Sequence, residues 1–186
     1  MTSNSIKSGL VVIFSLIAIA ARAENPSDFT IKSPTHDTTW TLSEQRGKLI
    51  ALHFLLKTEC PYCIKYTREY ARLARTTPEV THLFLKPDSD DEIKAWAGKL
   101  SQDDLKDLPV VYRDPDARLA NEYGIPGGYR FHGLSVHYPA LVLLDGSGKE
   151  LFRYIGKSNS DRMTPDDFVA RLKSIKASKS KEKSDR

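Results

Sequence analysis

The two cysteines of the chain lie three residues apart, in the segment Cys60-Pro61-Tyr62-Cys63. Residues 49–56 are almost all apolar and predict a buried strand. Apolar residues at helical spacing then predict a helix that begins near Cys60. At a helix N-terminus the unpaired N–H groups and the helix dipole favour a thiolate over a thiol. Because the thiolate is the form that attacks disulfides, this pair predicts thiol–disulfide chemistry.

Two other uses of a cysteine pair fit the sequence less well. A tetrahedral zinc site takes four ligands. The chain has no second cysteine pair, and its histidines are scattered along the sequence at His36, His53, His82, His132 and His137. A purely structural bridge would close a very short loop and would restrict the unfolded chain little. We therefore predict a redox-active Cys60–Cys63 disulfide, with no metal and no cofactor.

The helical spacing after the pair predicts different positions for the two sulfurs. The residues that recur at the spacing of one helix face are Cys63, Tyr66, Thr67, Tyr70, Leu73 and Ala74. Cys63 should therefore point into the core, whereas Cys60 should lie exposed at the N-terminal edge of the helix. We expect Cys60 to attack a substrate disulfide and Cys63 to resolve the mixed disulfide that forms.

The start of the chain has the pattern of a signal peptide. Lys7 supplies positive charge, residues 10–20 form an apolar run, and Ala21-Arg22-Ala23 gives a cleavage site. We predict that residues 1–23 are a signal peptide, with an uncleaved anchor as the alternative. The run is short for a membrane span, which needs about 20 apolar residues. The protein is therefore expected to be exported to a periplasmic or extracellular location, where disulfides persist.

The charge balance does not indicate a polyanionic partner. The whole chain carries a net charge of +4, and removal of residues 1–23, with Lys7, Arg22 and no acid, lowers it to +2. We expect no nucleic-acid partner and no stable membrane insertion after cleavage. Residues 24–176 suit one domain with one core, and the basic residues 177–186 predict a disordered tail. The sequence does not indicate an oligomeric state.

The remaining patterns predict alternating strands and helices. An N-terminal hairpin is expected at 29–31 and 39–42, and further strands at 80–86, 109–112, 140–144 and 150–155. Helices are expected from residue 90, from Asp114-Pro115 and from residue 164, and Gly124 should end the second of these. Residues 124–135 are glycine-rich and predict an irregular loop. This order predicts a mixed β-sheet with helices on both faces.

Four segments carry a resemblance to the thioredoxin-like superfamily. They are FLLKTECPYC at 54–63, RDPDARLANEYGI at 113–125, YPALVLLDGSGKELFRYIG at 138–156, and the closing helix. Within the superfamily the chain resembles the redoxin branch, which holds exported thiol–disulfide oxidoreductases and peroxiredoxins. The resemblance implies a thioredoxin-like α/β fold: a mixed central β-sheet with helices on both faces, here with an N-terminal β-hairpin extension.

The resemblance also implies a function and a site. An exported oxidoreductase of this kind exchanges disulfides with protein thiols, and its own redox partner is not identified by the sequence. Cys60 and Cys63 would be the catalytic residues. Pro139 would be a cis-proline that faces them, and the backbone of Tyr138 would hydrogen-bond a substrate strand. Pro61 and Tyr62 would complete the substrate-binding surface.

Two alternatives stay open within this resemblance. In a peroxiredoxin-like peroxidase with antioxidant activity, Cys63 would take the place of the peroxidatic cysteine. That family's motif has a proline seven residues before this cysteine and a threonine or serine three before, where this chain has Leu56 and Cys60. In a copper chaperone of this fold, the cysteines and His137 would bind copper, for which thiolate and imidazole are suitable ligands.

Overall fold

The computed structural model describes residues 28–184, apart from residues 46, 58–59, 101–108 and 132 and the side chains of 182–184. The predicted signal peptide at 1–23 lies outside the described residues. Within them, no helix is both long and apolar enough to span a membrane. The strands are β1 (Thr30–Ser33), β2 (Thr38–Thr41), β3 (Leu49–Phe54), β4 (Val80–Lys86), β5 (Val111–Arg113), β6 (Tyr129–Phe131), β7 (Leu134–Val136), β8 (Ala140–Leu144) and β9 (Glu150–Ile155), and the helices are α1 (Pro61–Ala74), α2 (Asp90–Gly98), α3 (Arg118–Glu122) and α4 (Pro165–Ser184).

Seven of these strands form one mixed sheet, in the order β2-β1-β5-β4-β3-β8-β9. The central strands β3, β4 and β5 are parallel, whereas β8 and β9 are antiparallel to their neighbours. The predicted N-terminal hairpin is confirmed, and it extends the sheet because β1 pairs with β5. The central strand β3 is buried along almost its whole length, which explains its nearly continuous apolar sequence.

Two apolar cores lie on opposite faces of the sheet. One contains the buried faces of α1, α2 and α4, and with them both cysteines. The other contains α3 and the aromatic residues of the N-terminal segment, including Phe29 and Trp40. Successive side chains of β3 alternate between the cores, since Ala51 belongs to the first and Leu52 to the second. The prediction of helices on both faces is therefore confirmed.

Side chains define the starts of the two helices nearest the cysteines. Cys60 is the N-cap of α1 and Pro61 is its first helical residue, a position at which a missing N–H costs nothing. At the start of α2, Ser89 and Glu92 form a capping box in which each side chain accepts the other's backbone N–H. The predicted buried face of α1 is confirmed at Cys63, Tyr66, Thr67 and Tyr70, whereas Leu73 and Ala74 in the last turn are only half-buried.

Besides the start of α3, two segments differ from the predictions. The glycine-rich stretch 124–135 is not wholly irregular, because β6 and β7 pair within it as a small antiparallel hairpin. Their length of three residues each is too short to show a strand pattern in the sequence. The helix α4 continues to Ser184 through the tail that we expected to be disordered. Ala, Lys and Glu in this tail are good helix formers, and its lack of an apolar face hid the helix.

Asp114 organises the turn between β5 and α3. The predicted start at Pro115 is confirmed only for a short 3₁₀ helix, Pro115–Ala117. The α-helix α3 begins at Arg118, because Asp116 and Ala117 have left-handed φ values of 54° and 53°. The buried carboxylate of Asp114 reaches past this turn. It accepts the N–H of Leu119 at 2.7 Å and that of Ala120 at 3.0 Å. One side chain thus satisfies two backbone donors at the start of α3.

We predict that Asp114→Asn lowers the free energy of unfolding by about 1–3 kcal/mol, because an amide replaces a carboxylate oxygen that accepts a buried N–H. Urea denaturation followed by circular dichroism measures this change. Asp116→Asn is the matched control, since Asp116 is exposed and asparagine tolerates a left-handed φ. Equal loss of stability in both variants would show that Asp114 has no special role.

Candidate active site

The two cysteines are joined as a disulfide at the N-terminus of α1. Their Cα atoms are 5.1 Å apart, and the N–H of Cys63 is 3.1 Å from the sulfur of Cys60. Neither residue is accessible to solvent. The expectation that Cys63 is buried is therefore confirmed, but the expectation that Cys60 is exposed is wrong. The reason is a second segment of the chain that covers the N-cap position.

This covering segment, which we call the strap, comprises residues 156–163 between β9 and α4. The Oδ1 atom of Asn159 lies 2.8 Å from the sulfur of Cys60. The backbone N–H of Asn159 donates to the hydroxyl of Tyr129 on β6. The carboxylate of Asp161 accepts hydrogen bonds from the N–H of Lys157 and the hydroxyl of Tyr154. The strap is thus held by its own turn and by two different strands.

Arg162 brings a positive charge to both sulfurs. Its Nη2 atom lies 3.2 Å from the sulfur of Cys63 and 3.7 Å from that of Cys60. Its Nε atom donates to the carbonyl of Asn159, and its guanidinium lies 5.3 Å from the ring centroid of Tyr66. The loss of water around the guanidinium lowers the pKa of Arg162 to about 10, so the side chain is charged at neutral pH.

The predicted substrate-binding residues fall into two groups. Pro61 and Tyr62 are exposed at the start of α1, beside the buried pair. Tyr138 is only half-buried, but its N–H already donates to the carbonyl of Pro126, and its carbonyl accepts from Nδ1 of His137 at 2.7 Å. A substrate strand that pairs with the Tyr138 backbone would have to compete with these bonds.

Pro139 lies close to the arginine that contacts the cysteines. Pro139 and Arg162 line the same cavity, together with Tyr66 and Tyr154. No peptide bond among the described residues is cis, so the expectation that Pro139 is a cis-proline is wrong here; the trans form is the one that X–Pro bonds favour. The carbonyl of Pro139 accepts the N–H of Gly156. A Cβ at Gly156 would lie 1.9 Å from the carbonyl oxygen of Asp161, so the start of the strap requires glycine.

A chain of buried hydrogen bonds leads away from Tyr66. The Nδ1 atom of His53 is 2.9 Å from the Tyr66 hydroxyl, and its Nε2 atom is 2.9 Å from Nδ1 of His82. Burial lowers the pKa of His82 to about 4 and that of His53 well below its usual value. Both imidazoles are therefore neutral at pH 7, and they add no charge to the site.

Lys86 supports the loop that carries the cysteines. Its fully buried ammonium donates to the carbonyl of Leu56 at 2.7 Å and lies 3.2 Å from a carboxylate oxygen of Asp88. The ring of Trp96 lies 4.7 Å away. Burial lowers the pKa of Lys86 to about 8, and the charge of Asp88 opposes this shift. Lys86 thus ties the end of β4 to the segment that follows β3 and leads to Cys60.

The geometry does not support a copper site. His137 is buried, donates through Nδ1 to the Tyr138 carbonyl and packs against Phe54. In the part of the chain that the structure describes, no three His, Cys, Asp or Glu side chains form a group able to hold a metal ion. The copper-chaperone alternative is therefore not carried further.

Comparison with known proteins identifies the family. Residues 23–149 match the AhpC/TSA family. The chain belongs to the AhpC/TSA family. The family match confirms the resemblance to redoxins and shows that the protein is an oxidoreductase. The match includes both cysteines and ends before the strap. No curated protein sequence matches the chain.

Solved structures confirm the thioredoxin-like fold. A secreted disulfide oxidoreductase of Mycobacterium tuberculosis, described as homologous to Escherichia coli DsbE, is 17% identical with a TM-score of 0.57, over 78% of this chain and 95% of that one. The exposed lipoprotein thioredoxin Etrx1 of Streptococcus pneumoniae is 24% identical with a TM-score of 0.61, over 79% and 98%. The bacterioferritin comigratory protein of Xanthomonas campestris is 14% identical with a TM-score of 0.62, over 80% and 90%.

Because Lys86 is buried, we predict that the free energy of unfolding rises with pH. Below pH 8 the folded protein contains a buried charged ammonium, which lowers its stability. Between pH 8 and 10.5 Lys86 is protonated only in the unfolded chain, so the free energy of unfolding increases with pH. We expect a rise of about 2–3 kcal/mol between pH 8 and 10 that is absent in Lys86→Met. Denaturant unfolding at each pH measures it, with the exposed Lys65→Met as control. The same slope in wild type and Lys86→Met would contradict this assignment.

Proposed function

We propose that this protein is an exported thiol–disulfide oxidoreductase that exchanges disulfides with protein substrates through Cys60 and Cys63. The observation that carries the proposal is the disulfide between the N-cap and the first turn of α1, against a guanidinium. The helix N-terminus and Arg162 both favour a thiolate in the reduced pair. A pair with a stabilised thiolate forms and breaks disulfides readily.

The exchange takes place in two steps. In the direction of substrate reduction, the Cys60 thiolate attacks a substrate disulfide and forms a mixed disulfide, and one substrate thiolate leaves. Cys63 then attacks Cys60, the second substrate thiolate leaves, and the internal bridge re-forms. In the direction of substrate oxidation, the same steps run in reverse. Cys60 is the better site for the mixed disulfide because the exposed Pro61 and Tyr62 adjoin it.

Two observations support export. The sequence at 1–23 has the pattern of a signal peptide, and two of the structurally similar proteins are described as secreted or exposed. An oxidising compartment would allow the Cys60–Cys63 bridge to persist. Detection of a mature chain that begins at Glu24 in the exported fraction of cells tests this part of the proposal.

We predict that Cys60→Ser abolishes reduction of insulin by the protein in the presence of dithiothreitol, because no mixed disulfide can form. Cys63→Ser should instead accumulate mixed disulfides, which non-reducing electrophoresis detects as larger species that dithiothreitol removes. The double variant is the control for non-specific adducts. Full insulin reduction by Cys60→Ser would refute the assignment of Cys60 as the attacking residue.

One observation favours a second candidate function, the reduction of hydroperoxides. Both sulfurs are fully buried under Asn159 and Arg162, so a small oxidant reaches them more easily than a protein does. In this reaction the Cys63 thiolate would attack the peroxide, forming a sulfenic acid and releasing an alcohol or water. The Cys60 thiol would then condense with the sulfenic acid, releasing water and forming the bridge.

Substitution at residue 60 separates the two functions. The hydroxyl that helps orient a peroxide in peroxiredoxins is replaced here by the Cys60 thiol. We predict that Cys60→Thr reacts with hydrogen peroxide at least about tenfold faster than wild type, as about 1.4 kcal/mol of added transition-state stabilisation would give, with Cys60→Ala as the control without a hydroxyl. Stopped-flow fluorescence and mass spectrometry of the oxidised Cys63 measure the rate. If wild type reacts with hydrogen peroxide as fast as Cys60→Thr does, the Cys60 thiol does not impair peroxide reduction, and the peroxidase function is favoured instead.

A further inference from the structure

The charge on Arg162 has no carboxylate partner in the part of the chain that the structure describes. Its polar contacts are the two sulfurs and the backbone and side chain of Asn159. The adjacent Asp161 is turned to the N–H of Lys157 and the hydroxyl of Tyr154. In the disulfide form the sulfurs are neutral. A half-buried cation against neutral groups has lost part of its hydration without gaining an opposite charge.

Among the described residues, the other ionisable groups around Arg162 do not supply that charge. Tyr66 on α1 and Tyr129 on β6 favour its charged form, and burial raises the pKa of Tyr66 far above neutral pH. The charge of Arg162 is among the causes that lower the pKa of His53, Lys86 and His137. Tyr66, His53 and His137 are therefore neutral at pH 7 and Lys86 is positive. Within the part of the chain that the structure describes, a negative charge on a sulfur would therefore be the nearest counter-charge.

We propose that Arg162 is a catalytic residue that makes the Cys60–Cys63 pair an oxidant of reduced protein dithiols, by stabilising Cys63 as the leaving thiolate. This inference rests on the proposed exchange function and assigns its direction and its substrate class. A substrate thiolate attacks the sulfur of Cys60, the Cys60–Cys63 bond breaks, and Cys63 leaves with the electron pair beside the guanidinium. A leaving thiolate of lower pKa leaves faster.

The second step completes a balanced transfer. The second substrate thiol loses its proton and attacks the substrate sulfur of the mixed disulfide, and Cys60 leaves with the electron pair. The substrate has lost two electrons and two protons and holds a new disulfide. The protein has gained two electrons; one proton binds Cys60, the other goes to solvent, and Cys63 is the thiolate beside Arg162.

The distances support this division of roles. Nη2 of Arg162 is nearer to the sulfur of Cys63 than to that of Cys60, at 3.2 Å against 3.7 Å. The Oδ1 atom of Asn159, which accepts hydrogen bonds, lies at the sulfur of Cys60. In the reduced pair, a Cys60 thiol has an acceptor for its proton and a Cys63 thiolate has a cation. Both arrangements stabilise the reduced pair relative to the disulfide, which is the property of an oxidant.

The test is equilibration of the purified protein with buffers of reduced and oxidised glutathione at pH 7. Acid quenching, alkylation and mass spectrometry then give the fraction with a disulfide. In Arg162→Gln, which keeps a polar side chain, the equilibrium constant for oxidation of glutathione should fall at least tenfold, equivalent to about 30 mV. Arg162→Lys should restore part of the loss. Arg171→Met is the matched control, because Arg171 is on α4 and contacts Phe152 instead of the sulfurs.

A second measurement reads Cys63 alone. In a Cys60→Ser background, thiolate absorbance at 240 nm should show that Arg162→Gln raises the pKa of Cys63 by at least about one unit, a tenfold change. The inference is overturned if the equilibrium constant of Arg162→Gln for oxidation of glutathione stays within twofold of the wild-type value. It is also overturned if Arg171→Met changes this constant as much as Arg162→Gln does. If wild type does not equilibrate with glutathione at all, the proposed exchange function fails as well, so the two failures are distinguishable.

Discussion

The contact of one guanidinium with two buried sulfurs is the constraint on which the rest of the site depends. To hold Arg162 there, the strap is fixed at three points that belong to different elements. The N–H of Gly156 donates a hydrogen bond to the carbonyl of Pro139, which precedes β8. The N–H of Asn159 donates to the hydroxyl of Tyr129 on β6, and the carboxylate of Asp161 accepts from the hydroxyl of Tyr154 on β9. The small hairpin of β6 and β7 and the glycine at 156 thus serve the placement of a cation.

The buried polar groups around the cysteine pair add no second unpaired charge to that of Arg162. His53 is fully buried between the sheet and α1 and His82 is half-buried beside it, and the loss of water keeps both imidazoles neutral. Lys86 is charged near neutral pH, but it is matched by Asp88 and directed at the carbonyl of Leu56. Neither group contacts a sulfur in the described structure. Among the described residues, the electrostatic effect on the cysteines therefore comes chiefly from the helix N-terminus and Arg162.

The sequence predicted those features that local patterns determine. The Cys60–Cys63 pair, the strand before it and the buried face of α1 follow from spacing within about twenty residues, and all three are present. Arg162 could not be predicted in this way, because it lies 99 residues after Cys63 in an irregular segment. The same segment buries Cys60, so the exposure of that residue was predicted wrongly. His53 did leave a signal, as the one ionisable residue within the apolar stretch 49–56.

The arrangement of the strap also bears on how a protein substrate reaches a sulfur that is fully buried. Asn159 lies on Cys60, whereas Arg162 lies closer to Cys63 and is followed directly by the buried Met163. Rotation of the Asn159 side chain would remove its Oδ1 atom from Cys60, beside the exposed Tyr62, while the bond from Nε of Arg162 to the Asn159 carbonyl keeps the guanidinium at Cys63. In the proposed exchange, substrate entry and stabilisation of the leaving thiolate therefore involve different side chains of the strap. Both can act on the same encounter because the attacked sulfur and the leaving sulfur belong to different residues.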